Sequence, residues 1–173
     1  MRIQIITLAV TCFLFCAPAS FAGGGAPAWM HALVDAPLPE HDEKTDAVVL
    51  YSETNVTVLS ADKIRTHVRE AFKILRPGGR ERATVFVNFN PQRKITSLSG
   101  WCIPFQGKDY EVKEKDALET APNTNGGELI GDVKFKVLRI PAPDIGNIVG
   151  YEYEIEERPY FLQDIWYFQG NDP

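Results

Sequence analysis

The segment 148–157, IVGYEYEIEE, alternates apolar and acidic side chains over most of its length. Successive side chains of a β-strand point to opposite faces, so a strand here places Glu152, Glu154 and Glu156 on one face and apolar residues on the other. Neighbouring carboxylates would then lie about 6.6 Å apart, close to the roughly 6.5–9.5 Å that separates the acid and base of inverting glycosidases. The pattern therefore predicts a strand whose charged face is either a catalytic pair or a solvated surface.

Strand-like patterns recur along most of the chain and leave little room for helices. The predicted strands are 47–59, 63–75, 83–89, two strands within 95–112, 132–140 and 148–157. Segment 63–75 also fits a helix, but the SAD turn before it and RPGGR after it favour a hairpin strand. Prolines 27 and 37 bracket one short helix. The fold class is therefore mainly β, an antiparallel sandwich or curled sheet built of hairpins with one short N-terminal helix.

A pairing of the last two strands is predicted from charge. If PAPDIGN, residues 141–147, is a hairpin loop, Lys136 lies opposite Glu152 and Lys134 lies opposite Glu154. The other face then matches apolar side chains with apolar side chains. Carboxylates opposite lysines have lowered pKa values, whereas a glycosidase acid needs a raised one. This pairing favours the solvated surface over the catalytic pair.

The N-terminus predicts export. Residues 1–22 combine Arg2, a short apolar run and small residues at Ser20 and Ala22, which is typical of a signal peptide cleaved after Ala22. Residues 23–45 are then a short helix with a Pro/acidic linker, and residues 46–173 are one β-rich domain. We expect an exported protein, periplasmic or extracellular, with no membrane partner after cleavage. The formal charge of −5 argues against a nucleic-acid partner.

No catalytic, cofactor-binding or metal-binding residue is assigned from the sequence. The three histidines, His31, His41 and His67, lack a second His or Cys at ligand spacing. Cys102, the one cysteine left after signal cleavage, is expected to be a buried small hydrophobe in a strand. The Tyr/Trp cluster at 151–168 is an alternative carbohydrate- or peptide-binding surface, and core packing is its simpler explanation.

Several segments together resemble the bacterial domain of unknown function that heads exported transglutaminase-like proteins. They include KILRPGGRE at 73–81, WCIPFQGKDYEV at 101–112, LRIPAPDIGNIVGYEYEIEERP at 138–159 and IWYFQ at 165–169. The resemblance implies a non-catalytic accessory β-domain ahead of a papain-like module, which is absent from residues 1–173. It also implies the front part of a longer protein, incomplete at its C-terminus. Its expected partners are a transglutaminase-like module or a cell-envelope protein or polysaccharide.

Overall fold

The computed structural model describes residues 25–121 and 132–158, and within them two antiparallel sheets carry the fold. The larger sheet has the strand order β1-β2-β8-β4-β5 and the smaller has the order β3-β7-β6. This confirms the predicted mainly β class. The elements are α1 (Ala28–His31), β1 (Ala47–Ser60), β2 (Lys63–Ile74), β3 (Thr84–Phe89), β4 (Arg93–Ile103), β5 (Tyr110–Lys113), β6 (Leu118–Thr120), β7 (Lys134–Arg139) and β8 (Ile148–Glu157), with 3₁₀ turns at Pro77–Ala83 and Glu114–Asp116. The predicted signal peptide lies outside the described residues.

The β1–β2 hairpin confirms the strand interpretation of segment 63–75. Ser60 pairs with Lys63 across a two-residue turn, and the antiparallel register continues to the pair Ala47 and Ile74. The β4–β5 hairpin is likewise present, and Gly107 in its loop has a φ of 109°. A left-handed backbone of this kind is easy for glycine and strained for other residues, so the glycine at this position favours the turn.

The predicted pairing of the last two strands is wrong. β7 pairs with β3 and β6 in the small sheet, whereas β8 lies between β2 and β4 in the large sheet. Segment 141–147 therefore crosses from one sheet to the other. Asn147 anchors this crossing, because its buried side chain donates to the Ala142 carbonyl at 2.9 Å and accepts the Phe105 N–H at 2.8 Å.

The main core lies between the two sheets. The inner face of the large sheet and the apolar face of the small sheet contribute side chains at alternate strand positions, as period-2 patterning requires. Its buried members are Ala47, Phe72, Ile74, Ala83, Val85, Val87, Leu98, Cys102, Leu138, Ile140, Val149 and Ile155. The predicted burial of Cys102 is thereby confirmed.

The N-terminal segment covers one end of the outer face of the large sheet. Met30 of α1 is fully buried there against Ala71, Trp101 and Ile148. It sits directly over Gly150, where an added Cβ would lie 2.8 Å from the Met30 Cε. The predicted short helix is thus a structural cover whose fit depends on the missing side chain at Gly150.

Candidate functional site

The charged end of the outer face is the site that the sequence singled out. The alternation of β8 places Glu152, Glu154 and Glu156 on this face, next to β2 on one side and β4 on the other. β2 presents its own alternating basic side chains to the same face, in register with β8. The carboxylates and the basic groups therefore interleave across two neighbouring strands.

Glu152 is bound by two side chains of β2. His67 Nε2 lies 2.8 Å from one carboxylate oxygen, and Arg69 Nε lies 3.2 Å from the other. Arg69 also lies 3.6 Å from Glu53 of β1, so the cluster extends to the edge strand. The side chain of Glu152 is 26% exposed, which places this cluster partly out of water.

Glu154 and Glu156 are bound in the same way nearer the hairpin turn. Arg65 lies between them, at 3.4 Å from a Glu154 oxygen and 2.7 Å from a Glu156 oxygen. Lys63 adds a 2.5 Å contact to the other oxygen of Glu156, and the Thr96 hydroxyl donates to Glu154 at 2.8 Å. All three carboxylates therefore have cationic partners from β2.

The electrostatics keep Glu152 and Glu156 ionised. Burial raises the pKa of Glu152, but hydrogen bonds from His67 and Arg69 outweigh it and hold that pKa below its ordinary value. Hydrogen bonds from Lys63 and then Arg65 lower the pKa of Glu156. An acid catalyst needs the opposite, a desolvated carboxyl with a raised pKa. Glu152 and Glu156 are therefore suited to ion pairing rather than to proton donation.

The partners of this cluster differ from the predicted ones. Lys134 binds Glu119 of β6 at 2.7 Å and Lys136 binds Glu114, both on the side of the small sheet. The β2 side chains that the pairing argument missed are Lys63, Arg65, His67 and Arg69. Their alternation along β2 is visible in the sequence, but it shows only that they share a face, not which strand lies beside them.

The environment of Cys102 is that of an unreactive thiol. The side chain is fully buried in β4, and its Sγ lies 3.2 Å from the Ala142 carbonyl oxygen. Burial, with a smaller contribution from Asp144, raises the pKa of the thiol to about 11. A reactive cysteine requires an accessible thiolate, and this geometry opposes both accessibility and ionisation.

The aromatic cluster is divided by the structure. Tyr151 and Tyr153 lie on the inner face of β8, stacked on each other with ring centroids 6.2 Å apart, and pack against the main core. Burial is the largest cause that raises the pKa of both phenols, and Tyr151 donates its hydroxyl hydrogen to Glu70. Residues 160–168 of the cluster lie outside the described residues. The described part packs in the interior rather than forming a binding surface.

The histidines are separated from one another. His31 contacts Asp109 at 2.9 Å, His41 contacts the Pro39 carbonyl at 2.8 Å, and His67 contacts Glu152. Within residues 25–121 and 132–158 no group of three His, Cys, Asp or Glu side chains is placed to hold a metal ion. In the same part of the chain, no helix has the length and hydropathy to cross a membrane.

A second aromatic group that the sequence did not reveal lies beside the charged end. Trp29 of the N-terminal segment has its ring centroid 5.4 Å from that of Tyr51 and 6.4 Å from that of Trp101. The Arg69 guanidinium lies 6.0 Å from the Trp29 centroid, so it contacts both this aromatic group and Glu152. The cover and the ion-pair cluster therefore meet at Arg69.

Comparison with known proteins supports the same architecture. A crystal structure of a protein described as a "putative protease" from Parabacteroides distasonis superposes with a TM-score of 0.58 at 13% identity. The superposition covers 66% of this chain and 23% of that one, so it shows a shared fold. No curated protein matches the sequence. The family model for the domain of unknown function DUF3857 matches residues 60–173, and the chain belongs to that family.

Proposed function

We propose that this chain is a non-catalytic exported β-domain that acts as an accessory module of transglutaminase-like proteins. In this role it contacts a separate papain-like module, or a cell-envelope protein or polysaccharide that such a module modifies. The proposal extends the family resemblance of KILRPGGRE and the 138–159 segment to a role for the domain.

The ion pairing of the three β8 glutamates is the observation that carries the non-catalytic part. They are the best general acid and base candidates in the sequence, and each is held by cations of β2. A glycosidase would instead keep one carboxyl protonated near neutral pH and leave the other free to activate water. A carboxylate held beside cations on a sheet surface has a lowered pKa and is poorly suited to donating a proton.

The size of the structural match supports the accessory part. The superposed region amounts to 23% of the Parabacteroides protein, so a β-sandwich of this kind occurs there as one portion of a longer chain. Domains of this size fold around their own core, and here that core lies between the two sheets. A domain with its own core can present surfaces to a neighbouring module without contributing to the chemistry.

The catalytic alternative is tested with the chain purified as the cell exports it. We expect no turnover of chromogenic glycosides, peptidoglycan or unfolded casein above the background of a Glu152→Gln, Glu154→Gln double variant. A rate that exceeds this background and disappears in the double variant would overturn the non-catalytic proposal.

Export is tested by N-terminal sequencing. The sequence of the exported material should begin at Gly23, whereas a chain that stays in the cytoplasm and retains Met1 would contradict export.

The accessory role is tested by binding. The chain is titrated with a papain-like transglutaminase module encoded in the same genome and, separately, with insoluble peptidoglycan. Saturable binding to either, at micromolar concentrations or below, is the expected result. Absence of binding to both would contradict the accessory role.

A further inference from the structure

The cover is attached to the large sheet at two sides. We use this name for residues 26–33, which carry the apolar contacts of the N-terminal segment. Asp109, in the loop between β4 and β5, binds the segment twice: its carboxylate accepts the Ala26 N–H at 3.0 Å and lies 2.9 Å from His31 Nε2. Met30, which is fully buried against the sheet, lies in sequence between these two contacts. Asp109 therefore fastens the segment that carries Met30.

The side of the cover that lies beside the charged end is held by Arg69. The guanidinium carbon lies 6.0 Å from the ring centroid of Trp29, and a cation at this distance from an indole ring is attracted to it. The guanidinium is itself held from both sides of β2, by Glu152 at 3.2 Å and by Glu53 at 3.6 Å. The two carboxylates therefore fix the cation against which Trp29 packs.

The closed position of the cover leaves a hydrogen-bond donor unsatisfied. Trp29 Nε1 is buried, and it has no hydrogen-bond partner among the residues that the structure describes. A buried donor without an acceptor costs free energy, because the N–H has lost its bond to water. Lifting the cover would hydrate this N–H again. Closure therefore offsets part of the free energy that is gained by burying the apolar side chains of the cover.

The chain that follows the cover can move without disturbing the sheets. No residue from 34 to 46 is buried, and none of them lies in a helix or a strand. The far end of this linker is fixed, because the Asp46 carbonyl accepts the N–H groups of Leu75 at 2.9 Å and Arg76 at 3.0 Å. Opening the cover would therefore break its own contacts and leave the strand pairing in place.

We propose that the cover is a lid that opens and closes on intact sheets and is held closed by Arg69 and Asp109. Opening exposes an apolar surface that the closed cover buries, formed by Ala71, Trp101, Ile103 and Ile148. The few attachments, the unsatisfied donor and the exposed linker make opening a local event that needs less free energy than unfolding of the sheets. This motion does not depend on what the domain binds, so it stands apart from the accessory role.

Oxidation of Met30 by hydrogen peroxide, followed by mass spectrometry, measures how often the cover opens. Met30 is the only methionine besides Met1, and it is fully buried when the cover is closed. In the chain purified as the cell exports it, we expect oxidation roughly ten- to hundred-fold slower than in denaturant, while the β8 amides stay protected from hydrogen exchange. Arg69→Gln should raise the native rate about five-fold, because Trp29 loses its cation. The matched control is Arg65→Gln, on the same face of β2, and it should leave the rate unchanged.

A second pair of variants tests the other attachment. Asp109→Ala removes the acceptor that binds Ala26 and His31, so it should raise the oxidation rate of Met30 about ten-fold. Asp62→Ala is its control, because this exposed carboxylate binds Ser60 in the β1–β2 turn and should leave the rate unchanged.

Three results would overturn the proposal. The first is oxidation of Met30 only under conditions in which the β8 amides also exchange, which would show that the cover leaves only when the sheets unfold. The second is native oxidation as fast as in denaturant, which would show that the cover is not closed. The third is a pair of equal rates for a variant and its control. If Arg69→Gln loses the protection of β8, that variant has unfolded, and Asp109→Ala with Asp62→Ala decides.

Discussion

The two ends of the outer face of the large sheet are stabilised in different ways. At one end β8 contributes Ile148 and Gly150, and α1 buries them under Met30. At the other end the same strand contributes Glu152 and Glu154, which bind the cations of β2. The helix is a single turn and covers only the first end. The part of β8 under the helix has apolar side chains on this face. The part beyond the helix has carboxylates that pair with basic side chains of β2.

The covered end is therefore stabilised by close packing, and the charged end by ion pairs. The covered end depends on a close fit of Met30 over Gly150, so a change of one side chain alters packing. At the charged end each carboxylate has more than one polar partner, Arg69 and His67 for Glu152 and Arg65 and Thr96 for Glu154, so the loss of one group leaves another in place. We therefore expect large effects from substitutions in packed positions and small effects at the charged end.

Truncation of Tyr153 should give the largest effect, and it provides the packed reference within β8. Tyr153 lies between Glu152 and Glu154 in sequence but points to the inner face, where it stacks on Tyr151 and packs against the core. Tyr153→Ala should lower the free energy of unfolding by roughly 3–5 kcal/mol. Chemical denaturation measures this, and Tyr110→Ala, at an exposed position of β5, is the control. A loss below that of the control would show that the inner face of β8 is not packed.

Truncation of Met30 tests the covered end directly. Met30 is fully buried, so Met30→Ala should cost about 2–5 kcal/mol, or detach the cover as a separate early transition. Fluorescence of Trp29 and Trp101 during denaturation reports on both possibilities. Val34→Ala, at a position that is 45% exposed just after α1, should cost much less. If the two variants are equally stable, α1 does not act as a cover.

Acid should weaken the charged end. The pKa of Glu152 is lowered in the folded state, because the hydrogen bonds from His67 and Arg69 outweigh the burial that raises it. The stability that it contributes is therefore present above its unfolded pKa of about 4.3 and is lost as the pH falls through its folded value. Unfolding measured between about pH 6 and pH 3 should show a smaller loss in Glu152→Gln than in the unmodified chain. Glu40→Gln, on the exposed linker, should leave the loss unchanged, and an identical loss in all three would contradict the assignment.

Neutralising Glu154 should have a small effect. Glu154 shares Arg65 with Glu156 and accepts from Thr96, so Glu154→Gln removes one charge but leaves Arg65 paired. A loss of about 0.2–1 kcal/mol is expected. Glu119→Gln removes a comparable exposed pair in the small sheet and should behave alike. A loss as large as that of Tyr153→Ala would show that charge, not packing, governs this end.

Cys102 should show no labelling in the native state. It lies on the packed inner face, and burial raises its pKa to about 11. A thiol reagent should modify it only after denaturation, so the native rate should be far below the rate in denaturant. Comparable rates in the two conditions would show that the interface between the two sheets opens readily.

Much of the local structure was predictable from the residues. The alternation in segments 63–75 and 148–157 indicated strands, and the short turn at Ser60–Lys63 indicated the hairpin that the structure shows. The two faces of β8 were also predictable, with Glu152 and Glu154 on one and Tyr153 on the other. Period-2 patterning is a local property, so it survives whatever the strand pairs with.

The neighbours of β8 were not predictable in this way. Lysines of β7 and basic residues of β2 both alternate with the spacing that matches Glu152 and Glu154, and each cross-strand pair contributes only about 0.2–1 kcal/mol. Charge matching therefore could not choose between the two strands. The choice was made by burial of the inner faces, which sends β7 to the small sheet, where Leu138 is fully buried, and leaves β8 beside β2.

The sequence by itself determined where the strands are and which side chains share a face, because both follow from backbone geometry over a few residues. Only the tertiary structure decided that Met30 fills the space above Gly150, that Arg69 joins Trp29 to Glu152, and that segment 141–147 crosses between the sheets. These contacts join residues far apart in the chain. They depend on how the two sheets and the helix bury apolar surface together, and a pattern over a few neighbouring residues does not predict that packing.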